Sequence, residues 1–459
     1  MKRHLLSIPI FLILFYGCKE EDYIKDATKV SDFHNYYNQV KCPQLGDSVY
    51  LYIDCSKCSI DAVNSSPFFK RLRSTISGLN PFLVEIRGEE LKSISSNNPD
   101  TINWHLTNMQ DVNYANLVAA LDTIVHIPNQ AILITDGELM TMVGGEREDY
   151  AYLLPDFKYW LSKGFEIYVY IEEYEEQCNK GRCPKKRFYF IFTDSKKDKN
   201  IFSWLDHVIN FSEFPEIALR KFSSTDFKVE TKYAGLKDPK TNAVLSLNRE
   251  TYQKGERFEV QDYQIDWSDI VTYIQNTPDS ITGKPIPGGD YLFRGIFINA
   301  KGLDYYTIEN IDVKVYNVYD EFRGFEDSIM NNSKPASPGQ FKELKEVFIV
   351  DTNLFQKTGE VGIKIHPNFD GSDLNKKGAD PEKENLLRVD IILSGVKDNF
   401  NEKRDSFNCF KWKSMTKPGI NISVYESIRR LIIEKDSYPD KLNNGIIYTV
   451  YVKTNSSDL

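Results

Sequence analysis

The chain has 459 residues, with 57 Lys and Arg against 66 Asp and Glu, for a formal net charge of −9. The two signs are mixed along its length, which excludes the basic face that nucleic-acid binding needs. At roughly 100–200 residues per domain the chain is long enough for two or three cores, and its 28 Phe and 27 Tyr suit β-rich domains.

Lys2, Arg3 and His4 precede an apolar run from Leu5 to about Tyr16. The run falls short of the roughly 20 residues that a bilayer-spanning helix needs. A charged leader before a short apolar core is the layout of a secretory signal, here residues 1–17. Gly17-Cys18 resembles the lipobox of bacterial lipoproteins, with Phe15 and Tyr16 where that pattern has Leu and a small residue. Lys19, Glu20, Glu21 and Asp22 resemble the export signal of Bacteroides-type surface lipoproteins. The resemblance implies lipidation of Cys18, a membrane held through that lipid, and an outer-membrane, surface-exposed location. Residues 18–45 are polar and read as anchor and tether.

From 46 to 225 strand-like and helix-like segments alternate. SVYLYIDC (48–55) reads as a strand, and Phe68, Phe69, Leu72, Ile76 and Leu79 then share one face at helical spacing. PFLVEI (81–86) is a strand, Leu117 to Val125 a helix, and AILITDGE (131–138) a buried strand ending at an acidic turn. Tyr150 to Leu161 form an amphipathic helix closed at Gly164. FEIYVYI (165–171) and RFYFIFTD (187–194) read as strands, with the acidic EEYEEQ (172–177) between them as a solvated loop. Such alternation predicts an α/β doubly wound, mainly parallel sheet covered on both faces, with function at the carboxyl ends of its strands. Asp54 and Asp136 lie at two such ends.

After about 226 helical periodicity fades. Residues 226–330 read as a β-sandwich-like domain. NNSKPASPG (331–339) reads as a linker, and 340–459 as a β-rich domain with one helix over 422–435. NFDGSDLNKKGADPEKE (368–384) has faint calcium-loop spacing, but Lys377 sits at a ligand position, so an ordinary long loop is expected. Asp100-Thr101-Ile102, Asp279-Ser280-Ile281 and Asp327-Ser328-Ile329 resemble short O-glycosylation signals of Bacteroides relatives.

Asp54-Cys55-Ser56-Lys57-Cys58 before an amphipathic helix, followed by ILITDGE, resembles the von Willebrand factor A domain family over residues 46–225. The resemblance implies a divalent-metal adhesion site built by Asp54, Ser56 and Asp136. Mg²⁺ or Mn²⁺ would be the ion, and an acidic group of a protein or glycan partner would complete its shell. Mg²⁺ wants six oxygens, and two carboxylates with a hydroxyl supply part of that shell. The chain departs from the family at Cys58, a poor ligand for a hard ion, and at Ala115, where the family has Thr. The alternative keeps Asp54 and Asp136 as hydrogen-bonding turn residues.

Outside the cytoplasm Cys42, Cys55, Cys58, Cys178 and Cys183 are candidates for disulfides. Cys55-x-x-Cys58 also has redox spacing, and with Cys178 and Cys183 it has the donors of a zinc site. No HExxH spacing, GxSxG elbow or phosphate-binding glycine loop occurs, so no enzyme is expected. The expected function is adhesion by a lipid-anchored envelope protein. The alternatives are a non-metal structural or assembly component of an outer-membrane complex and, behind it, a metal-dependent phosphoesterase.

Overall fold

The structure is a computed structural model that describes residues 27–38, 45–56, 66–94, 114–138, 151–178, 181–195, 199–224, 228–231, 258–263, 291–299, 305–337, 341–371, 385–414, 419–421, 423–438 and 445–454, with a few isolated positions. The first half carries α1 (Ala27–Asn38), β1 (Gly46–Asp54), α2 (Pro67–Ser77), β2 (Phe82–Arg87), β3 (Glu90–Ile94) and α3 (Leu117–His126). It continues through β4 (Asn129–Thr135), α4 (Leu154–Ser162), β5 (Glu166–Cys178), β6 (Gly181–Thr193), α5 (Ile201–Ile209) and β7 (Ala218–Ser223).

Local chemistry sets the helix starts. Ser66 accepts a hydrogen bond from the Phe69 amide ahead of Pro67, and Asn116 and Asn200 cap α3 and α5 in the same way. Alternation along the strands then divides the core. Leu51, Ile53, Ile132, Ile134, Tyr170 and Tyr189 face α2 and α5. Tyr52, Leu133, Ile167, Val169, Phe190 and Phe192 face α3 and α4 on the other side, where Trp160 is fully buried.

The strand order is β3-β2-β1-β4-β6-β5-β7. Only β1–β2 and β1–β4 are parallel. The pairs β2–β3, β4–β6, β5–β6 and β5–β7 are antiparallel. The sheet is therefore mixed and mostly antiparallel, which overturns the expected mainly parallel, doubly wound sheet and with it the von Willebrand factor A resemblance. The cause lies in two tight connections. Parallel neighbours need a crossover of a dozen or more residues, but β2 turns into β3 through Gly88 and Glu89. β5 and β6 form a hairpin of thirteen residues on each side, in register from Glu166 opposite Thr193 to Cys178 opposite Gly181. The acidic run 172–177, expected as a solvated loop, is the outer half of β5, and Glu172 and Tyr174 in it are buried.

The second half carries β8 (Lys228–Thr231), β9 (Phe258–Tyr263), β10 (Tyr291–Asn299), β11 (Tyr306–Asn317), α6 (Tyr319–Met330), β12 (Glu343–Leu344) and β13 (Phe348–Val350). After α7 (Thr352–Thr358) come β14 (Glu360–Ile365), β15 (Asn385–Asp398), β16 (Trp412–Ser414), β17 (Gly419–Asn421), α8 (Ser423–Ile433) and β18 (Ile446–Thr454). Two sheets, β13-β14-β10-β8 and β12-β11-β15-β18-β9, form a sandwich-like pair, antiparallel except for β18–β9. Strands from before and after the 331–339 stretch share both sheets: β10 pairs with β14, and β11 with β15. Phe293, Ile296, Ile363, Val389 and Ile391 belong to one buried cluster that runs on into the α3 and α4 side of the large sheet.

Within the stretch that reads as a tether, residues 27–38 are helical. Val30 and Phe33 of α1 pack on Phe322 and Phe325 of α6 and on Tyr451 of β18. His34 lies 3.1 Å from the Tyr451 hydroxyl, and burial, reinforced by the Arg388 charge, lowers its pKa to about 3. Among the described residues no helix is long and apolar enough to cross a membrane. Asp327-Ser328-Ile329 lies in the last turns of α6; the triplet at 279–281 and loop positions 375–384 lie outside the described residues.

Candidate functional site

Because β1 and β4 are parallel neighbours with Ile53 opposite Ile134, their carboxyl ends lie side by side. Asp54, Ser56 and Asp136 therefore meet at one edge, as the strand ends in the sequence suggested. Both aspartates are 1 % exposed. Asp54 accepts a hydrogen bond from the Ser56 amide at 2.9 Å on one oxygen and from the Thr135 hydroxyl at 2.7 Å on the other. The Thr135 hydroxyl in turn accepts from the Gly137 amide at 3.0 Å, and Asp136 accepts from the Glu138 amide at 3.0 Å. Tyr152, also buried, donates to the Gly137 carbonyl at 2.9 Å.

The fully buried Lys185 of β6 brings its ammonium 3.0 Å from Glu138 Oε1 and 3.7 Å from Asp136 Oδ2. Burial raises the pKa of Asp54, opposed by its hydrogen bonds from Ser56 and Thr135. Burial, then the charges of Glu138 and Asp54, push that of Asp136 well above the usual carboxylate range, against the pull of Lys185. Tyr152 is likewise driven up by burial and by the three carboxylates around it.

This edge does not fit the expected Mg²⁺ or Mn²⁺ ion. Both oxygens of Asp54 are committed to protein donors. One oxygen of Asp136 closes its own turn, and the other faces an ammonium rather than open coordination space. Among the described residues no group of three or more His, Cys, Asp or Glu side chains is placed to hold a metal. Ala115, at the place of the family's Thr, is buried and bridged to Gly88. Thr107, Asp111 and Asn113, the nearby oxygen-bearing residues that could stand in for that Thr, lie outside the described residues. The metal-dependent adhesion function is corrected on the same grounds.

The edge is also covered. Gly137 has φ +72°, and a Cβ there would stand 2.6 Å from Val424 Cγ2 and 3.1 Å from Phe188. α8 thus sits directly on the turn that carries Asp136. The Leu153 amide donates to Ser427 Oγ at 3.2 Å, and Lys158 at the rim pairs with Glu434 at 2.6 Å and Asp436 at 2.9 Å. The carboxyl ends of the parallel strands, where a ligand was expected, are occupied by the protein's own second half.

The cysteines do not form the expected disulfides among the described residues. Cys55 and Cys409 are thiols. Burial, with Glu85 next in effect, pushes Cys55 up to about 12, which holds its thiol protonated at neutral pH. Cys178 stands opposite Gly181 and Cys183 opposite Glu176 in the hairpin; their side chains, like Cys18, Cys42 and Cys58 altogether, lie outside the described residues.

Thr135, Glu138, Tyr152 and Lys185 are the site residues that the sequence reading missed. Thr135 and Glu138 flank Asp136 in ITDGE, so the phrase itself held their signal. Lys185 lies ahead of the strand read at 187–194, and only the hairpin register carries it past the end of β4. No family model, no curated protein and no solved structure matches this chain.

Proposed function

We propose that the protein is a structural or assembly component of an outer-membrane complex, anchored by a lipid on Cys18, whose α/β half works without a metal. The observation that carries this reading is the Lys185 ammonium set against Glu138 and Asp136. It supplies internally the positive charge that a bound cation would bring. The seating of α8 on Gly137 supports the same conclusion, because it joins the strand-end edge to the β-rich half as one packed body. The leader and Gly17-Cys18 support the location.

Isothermal titration of Mg²⁺ and Mn²⁺ into the full chain is expected to give no saturable heat, with or without Asp54→Ala. Saturable heat that disappears in Asp54→Ala would overturn the metal-free reading. For the anchor, the expected result is palmitate labelling and membrane fractionation of the wild type, with both lost in Cys18→Ala. An unlabelled, soluble wild type would refute it. Assembly is read by native electrophoresis of mild-detergent extracts, where the wild type is expected in a band larger than its monomer. A monomer band alone would count against an assembly role.

A further inference from the structure

The stretch between Cys18 and the large sheet is not all tether, because α1 is docked on the second half. Its footprint is aromatic. The Phe33 ring stands edge-on to Phe322 and Phe325 at 5.5 and 5.8 Å, and Tyr37 stands 5.4 Å from Phe341. The Tyr36 hydroxyl reaches the carbonyls of Pro335 and Ala336 at 3.0 and 3.2 Å. Val30 and Phe33 are fully buried in this contact.

Alternation along the five-stranded sheet shows which way the contact looks. Leu386 and Tyr451 pack with α1 and α6, whereas Leu387, Val450 and Val452 belong to the cluster that reaches the large sheet. α1 therefore lies on the outer face of the second half, and the large sheet lies on the other side.

Length then decides orientation. Only residues 19–26 separate Cys18 from the start of α1 at Ala27, and at about 3.3–3.6 Å each they reach at most roughly 30 Å. A compact chain of 459 residues has a radius of gyration of about 23 Å and so a diameter near ~60 Å. A lipid at Cys18 thus holds Ala27 within about half the body's width of the bilayer. Were α1 undocked, residues 19–45 would reach about 95 Å, and the body could turn any side to the membrane.

We propose that docked α1 fixes how the protein stands on the membrane, with the α1–α6 face of the second half toward the bilayer and the large sheet outward. The orientation rests on the lipid reading of Cys18. It deepens the assembly role, because partners beyond the membrane then meet the large sheet first.

The test places a fluorescent amino acid genetically at Arg323, exposed on α6, or at Lys92, exposed on the edge strand β3. Each full lipidated chain is bound to phosphatidylcholine vesicles that carry an energy acceptor on the headgroup. Transfer is expected to be several-fold stronger from position 323 than from position 92. Inserting about 20 Gly/Ser residues after Asp22 lengthens the tether before α1 to about 100 Å and should bring the two positions to nearly equal transfer. Phe33→Asp, which puts a charge into the buried contact, should do the same by expelling α1. The insertion leaves every described contact in place, so it reads orientation even where Phe33→Asp disturbs folding. Protein that stays off the vesicles overturns the anchor, and the orientation with it. Bound protein with equal transfer from the two positions, or with a difference that survives the insertion, overturns the orientation alone.

Discussion

Lys185→Met is expected to destabilise the fold by about 3–5 kcal/mol at neutral pH, the usual cost of removing one partner from a buried ion pair. Lysine and methionine are both unbranched, so little of the loss comes from packing. It comes from Asp136 and Glu138, which stay at the closed edge with no ammonium nearby. The pH dependence separates this cause from simple damage. Asp136 already has a raised pKa in the native protein, and removal of Lys185, which pulls it down, raises it further. A carboxyl with a raised native pKa binds its proton more tightly folded than unfolded. Its contribution is fully present below the unfolded carboxyl value near 4 and is lost as pH climbs from there through the folded value. The variant should therefore lose more stability than the wild type as pH rises above the unfolded carboxyl value near 4, and the two curves should converge in acid. Urea unfolding at pH 4.5, 6 and 8 reads the difference. A deficit independent of pH would show that Lys185 acts through packing. Adding Asp136→Asn to Lys185→Met should recover part of the loss at pH 8.

How much of this edge could be read in advance depended on whether each contact is local or distant in the chain. Asp54 and Asp136 each end an apolar run, and parallel pairing of those runs brings them together, so their meeting was legible. The face of α2 was legible too: Phe68, Phe69, Leu72 and Ile76 lie at helical spacing and are all buried. The helix expected over 422–435 stands at Ser423–Ile433. The sense of the sheet was not legible, because it rests on β5 and β6 being one hairpin. The outer half of β5, EEYEEQ, reads alone as a solvated loop, and the strand read at 187–194 starts only at Arg187, short of Gly181 where β6 begins. Only across the register do Glu172 opposite Arg187 and Glu173 opposite Lys186 become paired charges along a strand. Coverage by α8 was equally hidden, since nothing near Gly137 in sequence announces a helix almost 300 residues later. The adhesion-site resemblance failed at that point. A short Asp-x-Ser phrase and an Asp-Gly turn are compatible with an open metal edge or a sealed one, and a distant lysine decides between them.

The same hairpin yields the second large effect. Arg187 is fully buried, with Nη1 3.1 Å from Glu172 Oε2 and its guanidinium 4.3 Å from the Tyr174 ring centre. Tyr189 donates to the same Glu172 oxygen at 2.5 Å, and Ser66 donates to the other. Ser66 is also the cap of α2, so the carboxylate of Glu172 joins the hairpin to the first turn of that helix. Arg187→Leu strips the carboxylate of its only counter-charge among the described residues and is expected to cost about 3–5 kcal/mol. Arg187→Leu with Glu172→Gln should recover much of it, because a neutral amide in place of the carboxylate leaves no unpaired charge to bury. The location of the damage distinguishes this network from generic core loss. Amide exchange should accelerate first at Phe68, Phe69 and the following turn of α2, where Ser66 loses its anchored partner, while β1 and β4 stay protected. Uniform acceleration across the sheet would mean that Arg187 contributes bulk packing alone. Selective loss in α2 would show that the acidic outer half of β5, which its sequence presents as a solvated loop, is what fixes the helix to the sheet.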